Sequence, residues 1–252
     1  MDLLEKGNSN KRHPWELARF EVVRDLSKFY ITNRNLNILD LGCGDLFFIQ
    51  KFKELEPKST CYAVDIAFSE EFIEAHRKTD IKIFNSINKL PNNLSFDLVF
   101  LMDVLEHIEN DENFLKSLSF SKYIDKNTIF IITVPAYQKL FFSHDTYLRH
   151  YRRYTNKTLL RLVKKCDLRE IENGYFFLSL LAPRFLSVQK EKITGVQRYK
   201  NGTDVGNWNG NPFLTHLIKN ILIGDYKIQK GLKKMGIRLP GLSNYIVCKK
   251  PV

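Results

Sequence analysis

No apolar run in this 252-residue chain approaches the length that a membrane-spanning helix requires, roughly 20 residues. The two longest candidates, residues 175–186 and 213–223, fall short. Cysteine is scarce: Cys43, Cys61, Cys166 and Cys248 include no CxxC pair. That argues against a cysteine-clamped zinc site or a disulfide framework and reads as reduced, buried thiols. Acids are outnumbered, 28 against 39 basic residues, for a formal net charge of +11. Such a balance points to nucleic acid, an anionic membrane surface or phosphorylated small substrates, or to nothing more than a basic solvated surface. The polar, charged N-terminus lacks a signal-peptide pattern, so a cytoplasmic location is expected.

What is present suffices for a large core, with 44% hydrophobic residues. Leu17, Phe20, Val23, Leu26 and Phe29 recur three apart, which predicts an amphipathic helix over residues 15–30 with Pro14 in its first turn. Strands are predicted over 37–41, 60–65, 81–84, 96–102 and 128–134, and helices over 46–55, 69–78 and 105–121. This repeated β-α order argues a mostly parallel sheet with helices on both faces. Right-handed crossovers then bring the loops after the first, second and fourth strands to one carboxyl edge. Beyond residue 135 come an aromatic-, histidine- and arginine-rich stretch to 155, a helix over 156–166 and a sixth strand over 169–174. An apolar stretch over 175–188 and a polar, mobile loop over 190–211 follow. The chain closes with a long basic helix over 213–235 and a strand over 243–249. Phe213, Leu214, Leu217, Ile218, Ile221 and Leu222 form the apolar stripe of that long helix.

The first strand breaks into Gly42-Cys43-Gly44, and the second ends on Asp65. A glycine turn lets backbone approach a ligand, and an acid at the next strand end accepts sugar hydroxyls, so the pair reads as a nucleoside site. A dinucleotide site would carry a third glycine; Phe47 stands there instead, and Asp45 puts negative charge where a phosphate would lie. A cofactor with a cationic centre and an α-amino group fits better, with Asp40 and Asp45 favouring the cation and Asp65 holding the ribose. The first helix precedes this strand and can cross the mouth of the site, which makes His13, Trp15 and Arg19 candidate ligand contacts.

These pieces resemble class I S-adenosylmethionine-dependent methyltransferases. The likeness rests on LDLGCGD at 39–45, AVDI at 63–66, FDLVFLMDVLEHI at 96–108 and IFIITVP at 129–135, in the family's order and spacing. It implies a Rossmann-like, seven-stranded, mostly parallel α/β sheet, with the last strand antiparallel and inserted beside the fifth. It implies one domain over 1–252: an N-terminal helix (15–30), a cofactor core (36–135), a substrate loop and lid-like insertion (136–241) and the final strand (243–249). S-adenosyl-L-methionine is the implied cofactor. Asp40, Gly42 and Gly44 resemble the methionine-contacting loop, Asp65 and Ile66 the ribose and adenine positions, and Ser86 and Ile87 the adenine turn. Many relatives have an acid where Ser86 stands, so that contact is expected to be weaker or water-mediated. Met102, Asp103 and His107 fall beside the methionine moiety, His107 as a capping or packing residue. No metal site is expected.

For the acceptor, the [DNS]PP[YFW] motif of base-directed amino-methyltransferases is missing: residues 102–105 read Met-Asp-Val-Leu. Nucleic acid is therefore disfavoured as a partner. Residues 134–155 resemble a bacterial subgroup found with glycosyltransferase and surface-polysaccharide genes. The expected reaction is O-methylation of a small-molecule or carbohydrate-type acceptor, which could bear a phosphate or a lipid. His144 is the first candidate for the base, His150 the second, with an adjacent carboxylate able to orient either. Tyr137, Arg149, Arg152 and Arg153 are candidates to bind the substrate; Arg152 and Arg153 could equally anchor their loop to acids of the first helix or of strand four. The alternatives are RNA or protein methylation and a non-catalytic nucleoside-binding module. The insertion over 175–241 could rest on an anionic membrane, form a dimer interface or pack into the core.

Overall fold

The computed structural model describes residues 11–31, 35–196 and 208–251. Seven strands form one sheet in the order β3-β2-β1-β4-β5-β7-β6. They are β1 (Asn37–Leu41), β2 (Thr60–Val64), β3 (Ile81–Phe84), β4 (Leu98–Met102), β5 (Ile129–Pro135), β6 (Arg169–Phe176) and β7 (Ser243–Lys249). The first five are parallel; β7 enters antiparallel between β5 and β6. The inserted final strand stands where the resemblance put it.

Period-two alternation divides the core. Ile38, Phe100, Ile131 and Val247 face one layer, and Leu39, Val99, Phe130 and Ile246 the other. Both faces are covered, so the strands read as continuous apolar runs. The first layer contains α1 (Pro14–Ser27), α2 (Phe47–Leu55) and part of a long C-terminal helix; the second contains α4 (Asp111–Ser119) and α6 (Asn156–Lys165). Between them in sequence lie the short α3 (Glu70–Ala75) and α5 (Ser143–Tyr147). After β6 come α7 (Leu181–Thr194) and α8 (Pro212–Lys234).

Two sequence expectations change. The helix expected over 105–121 is a single 3-10 turn, Leu105–His107, followed by α4. Asn110 starts the second piece, its side chain accepting from Asn113 N–H at 3.0 Å, with Asp111 and Glu112 in the first turn. The expected loop over 190–211 is helical through Thr194 and stops at Gly195, φ +66°; residues 197–207 lie outside the described residues. The apolar stripe of α8 is only partly covered: Leu222 is buried, whereas Phe213, Leu217 and Ile221 are exposed.

Candidate active site

The turn after β1 sets the geometry of the carboxyl edge. Gly42 has φ +76°, and a Cβ there would lie 2.6 Å from Val104 Cγ2, so only glycine fits. Gly44 N–H donates to Asp65 Oδ2 at 2.8 Å, and Ala67 N–H donates to Oδ1 at 2.9 Å. The carboxylate is thereby fixed, with lone pairs left for a ligand's hydroxyls. Beneath the turn, Asp40 is fully buried and neither oxygen accepts a hydrogen bond. Burial, reinforced by Asp65 and Asp45 and opposed by Arg19, pushes its carboxyl up to about 7. Asp45 behaves differently. It pairs with Arg12 at 2.5 Å, and although burial opposes ionisation, that cation helps hold its carboxyl below the usual range. Asp45 is thus neutralised within the protein and does not line the site, contrary to its expected part in favouring a ligand's cation.

A cavity of about 1030 Å³ runs along this edge. Of the residues expected to hold cofactor, Gly42, Gly44, Asp65, Ile66, Ser86, Ile87, Met102, Asp103 and Arg19 line it, and Asp40 lies outside the wall. Asp103, at φ +54°, accepts from Thr133 Oγ1 at 3.1 Å and pairs with Arg19, whose guanidinium lies 4.3 Å over the Trp15 ring. Helix α1 is thereby tied across the mouth, and His13 and Trp15 also reach the wall.

The other half of the cavity comes from the segments after β4 and β5, which are laced together. Tyr151 N–H donates to Glu106 O at 2.7 Å, Tyr154 Oη–H donates to Asp111 at 2.6 Å, and Arg152 pairs with Asp111 at 2.8 Å. His144, His150, Arg149 and Arg153 line the cavity; Tyr137 and Arg152 do not. Tyr137 instead stacks on Tyr175 with centroids 5.2 Å apart. Of the two readings of the arginine pair, loop anchoring describes the contacts seen, but the acids are on α4 and α5 rather than on the first helix or strand four: Arg152 engages Asp111, and Arg153 Nε donates to buried Asp145 at 2.8 Å. Asp145 also meets His150 Nδ1 at 3.0 Å. Burial works against its ionisation, but His150, Arg153 and Arg184 more than offset that and hold the carboxyl well below its usual range. With Nδ1 engaged, His150 is left with Nε2 for other chemistry.

Sequence reasoning passed over Glu106 and Arg184, both on the cavity wall. Glu106 is fully buried, and neither oxygen accepts a hydrogen bond. Its signal was the adjacent Glu-His pair just after Asp103, the acid that follows β4. Glu106, His107 and His150 offer ligand atoms that all lie within 4.8 Å of one another.

Residues 15–173, more than half of the chain, match the family described as a methyltransferase domain. The mitochondrial ubiquinone biosynthesis O-methyltransferase of Candida albicans is 29% identical over 120 residues, covering 43% of this chain. The matched part spans only 34% of that relative's own length. Among solved structures, coclaurine N-methyltransferase bound to N-methylheliamine and SAH superposes with a TM-score of 0.59 at 13% identity, covering 98% of this chain and 77% of that one. Phosphoethanolamine N-methyltransferase 2 of Haemonchus contortus, in complex with phosphomonomethylethanolamine and S-adenosylhomocysteine, gives 0.56 at 14% identity, covering 98% and 56%. At these identities the likeness is one of fold.

Proposed function

The chain belongs to the methyltransferase domain family, and from that premise we propose that it moves a methyl group from S-adenosyl-L-methionine to an oxygen of a small, anionic, carbohydrate-type acceptor. The observation that carries this reading is the division of one cavity. A glycine turn, Asp65 and the Ser86–Ile87 turn lie on one side, and two histidines with the exposed Arg149 on the other. The residues fit the cofactor. Gly42 leaves a cradle that a Cβ would fill, and Asp40, buried behind that turn, has a carboxyl group with no hydrogen-bond donor at either oxygen.

When bound, the cofactor supplies a methyl group already activated on a sulfonium. The chain's own work is then placement and removal of a proton. Asp65 takes the ribose hydroxyls, and Asp40 faces the amino group from beneath the turn. Arg149 holds the acceptor's negative charge. His144 and His150 are the two groups able to take the hydroxyl proton. Helix α1, fastened by Arg19 and Asp103, closes the mouth against water. The exposed apolar residues of α7 and α8, flanked by lysines, rest on an anionic membrane surface, which suits a lipid-linked acceptor.

A product-detected methylation screen over nucleotide sugars, sugar phosphates, lipids and RNA tests the reading. The expected product is an O-methylated anionic sugar, with Arg149→Ala raising KM for that acceptor more than it lowers kcat. Methylation of RNA alone would overturn the acceptor class. Binding of S-adenosylhomocysteine without any product from the whole screen would favour a non-catalytic module.

A further inference from the structure

We propose that Glu106, His107 and His150 form a binding site for one first-row divalent cation on the acceptor side of the cavity. Two imidazoles and a carboxylate are a donor set that suits such ions, and it leaves coordination positions open to an oxygen ligand. The donors lie within 4.8 Å of one another. Donors about 2.1 Å from a shared ion stand roughly 3–3.4 Å apart, a difference that small side-chain rotations close.

A second observation is independent of this clustering. Glu106 is 0% exposed, lines the cavity, and accepts no hydrogen bond at either oxygen. A buried carboxylate without a partner is costly, so a group that completes it is expected. Arg19 and Arg153 act on Glu106 through their charge, but their hydrogen bonds go to other groups. Arg19 pairs with Asp103, and Arg153 donates to Asp145 and to the Ala136 carbonyl. Asp103 is itself held by Arg19 and Thr133, which leaves Glu106 as the carboxylate of the set.

A third observation concerns His150. Its Nδ1 meets the Asp145 carboxylate at 3.0 Å, the arrangement that fixes the tautomer of a metal-binding imidazole and turns Nε2 to the ion. Tyr151 N–H, donating to Glu106 O, fixes the backbone that carries His150 against the one that carries Glu106. The site is therefore pre-organised across two segments far apart in sequence.

This inference rests on the methyltransferase reading for its meaning but not for its test. It narrows the roles proposed above: the His150 lone pair goes to the cation, and His144 remains to take the acceptor's proton. A cation here would bind the acceptor's oxygen and lower the pKa of its hydroxyl.

The test is a titration of the chelator-treated full chain with Mn²⁺, followed by the electron paramagnetic resonance signal of free aqua-Mn²⁺, with Zn²⁺ as competitor. S-adenosylhomocysteine binding is measured on every sample as the check on folding and on the cofactor reading. One bound Mn²⁺ is expected, displaced by Zn²⁺. Glu106→Gln, His107→Ala and His150→Ala should each weaken it by at least about tenfold, while His144→Gln leaves it unchanged. No Mn²⁺ or Zn²⁺ binding by a protein that binds S-adenosylhomocysteine would overturn the site, as would binding indifferent to all three ligand substitutions. Metal binding that follows this pattern in a protein that fails to bind S-adenosylhomocysteine would uphold the site and sink the cofactor reading instead.

Discussion

Asp40 is where a single residue's environment makes the sharpest demand. Burial holds its carboxyl at about 7 in the ligand-free chain. A bound ammonium nearby favours the ionised form and lowers that value. Binding then expels a proton below neutrality, so affinity for S-adenosylhomocysteine should rise with pH up to about 7 and level off above it. Calorimetry at pH 6 in two buffers of different ionisation enthalpy should detect up to one proton released, and Asp40→Asn should abolish the release. Equal apparent enthalpies in both buffers for the wild-type chain would contradict the placement. Gly42 makes a steric demand instead. Alanine there meets Val104 and must adopt φ +76°, costing about 1–3 kcal/mol and filling the cradle. Gly42→Ala should lose S-adenosylhomocysteine binding in isothermal titration while keeping a cooperative unfolding transition at a lower midpoint.

At the scale of elements, α1 and α8 are joined by charge as well as by packing. Asp25 of α1 accepts from Tyr226 Oη–H at 2.7 Å and pairs with Lys230, both on α8; Glu21 and Lys219 repeat the link at 3.6 Å. Burial opposes ionisation of Asp25, but its hydrogen bonds from Lys230, Lys28 and Tyr226 prevail and lower its carboxyl to about 2. A carboxyl depressed on folding stabilises above its unfolded pKa, near 3.8. That contribution disappears as pH falls through the folded value. Asp25→Asn should therefore cost about 0.5–1 kcal/mol at pH 7, the site being partly exposed, and the difference from wild type should shrink between pH 4 and 2. Denaturant midpoints at pH 7 and pH 3 would show it.

Residues 36–135 were the most legible part, because local chemistry dictates their form: glycines force the turn, Asp65 stands at a strand end, and the central strands β4 and β5 are apolar on both faces. The inserted β7 came from the resemblance, since nothing in residues 243–249 states which strands they pair with. The acceptor half was less legible because its geometry comes from contacts between distant segments. Arg152 and Arg153 were readable as cations, but only the fold places Asp111 and Asp145 against them. Likewise the Glu106-His107 pair was visible in the sequence, but only the fold shows Glu106 buried with neither oxygen accepting a hydrogen bond. The break at residues 108–110 is hidden because the polar run Glu109 to Asn113 would also suit the solvent face of a continuous helix, whereas the Asn110 cap interrupts the helix.

At the scale of the whole molecule, charge and exposed apolar surface fall together. The chain carries +11 overall. Helices α7 and α8 leave Phe185, Leu186, Ile193, Phe213, Leu217 and Ile221 exposed. Of the basic residues in these helices, Lys219, Lys230 and Lys233 pair with Glu21, Asp25 and Glu172 and Arg184 lines the cavity, which leaves Lys190, Lys192, Lys227 and Lys234 exposed. Among the described residues no helix is long and apolar enough to cross a membrane, so contact with lipid would be lateral. Lysines near an anionic surface contribute on the order of 1 kcal/mol each, and apolar side chains add burial at the interface. Co-sedimentation should therefore recover the protein with phosphatidylserine-containing vesicles at low salt. Binding should fall steeply as salt shortens the screening length to about 8 Å near 0.15 M. The double substitution Phe213→Asp, Leu217→Asp should weaken binding at least about tenfold while leaving S-adenosylhomocysteine affinity unchanged, since both residues are exposed and neither lines the cavity. A dimer built on the same face would bind no vesicles, and the double substitution would halve its mass in light scattering. That result would replace the membrane with a second copy of the chain.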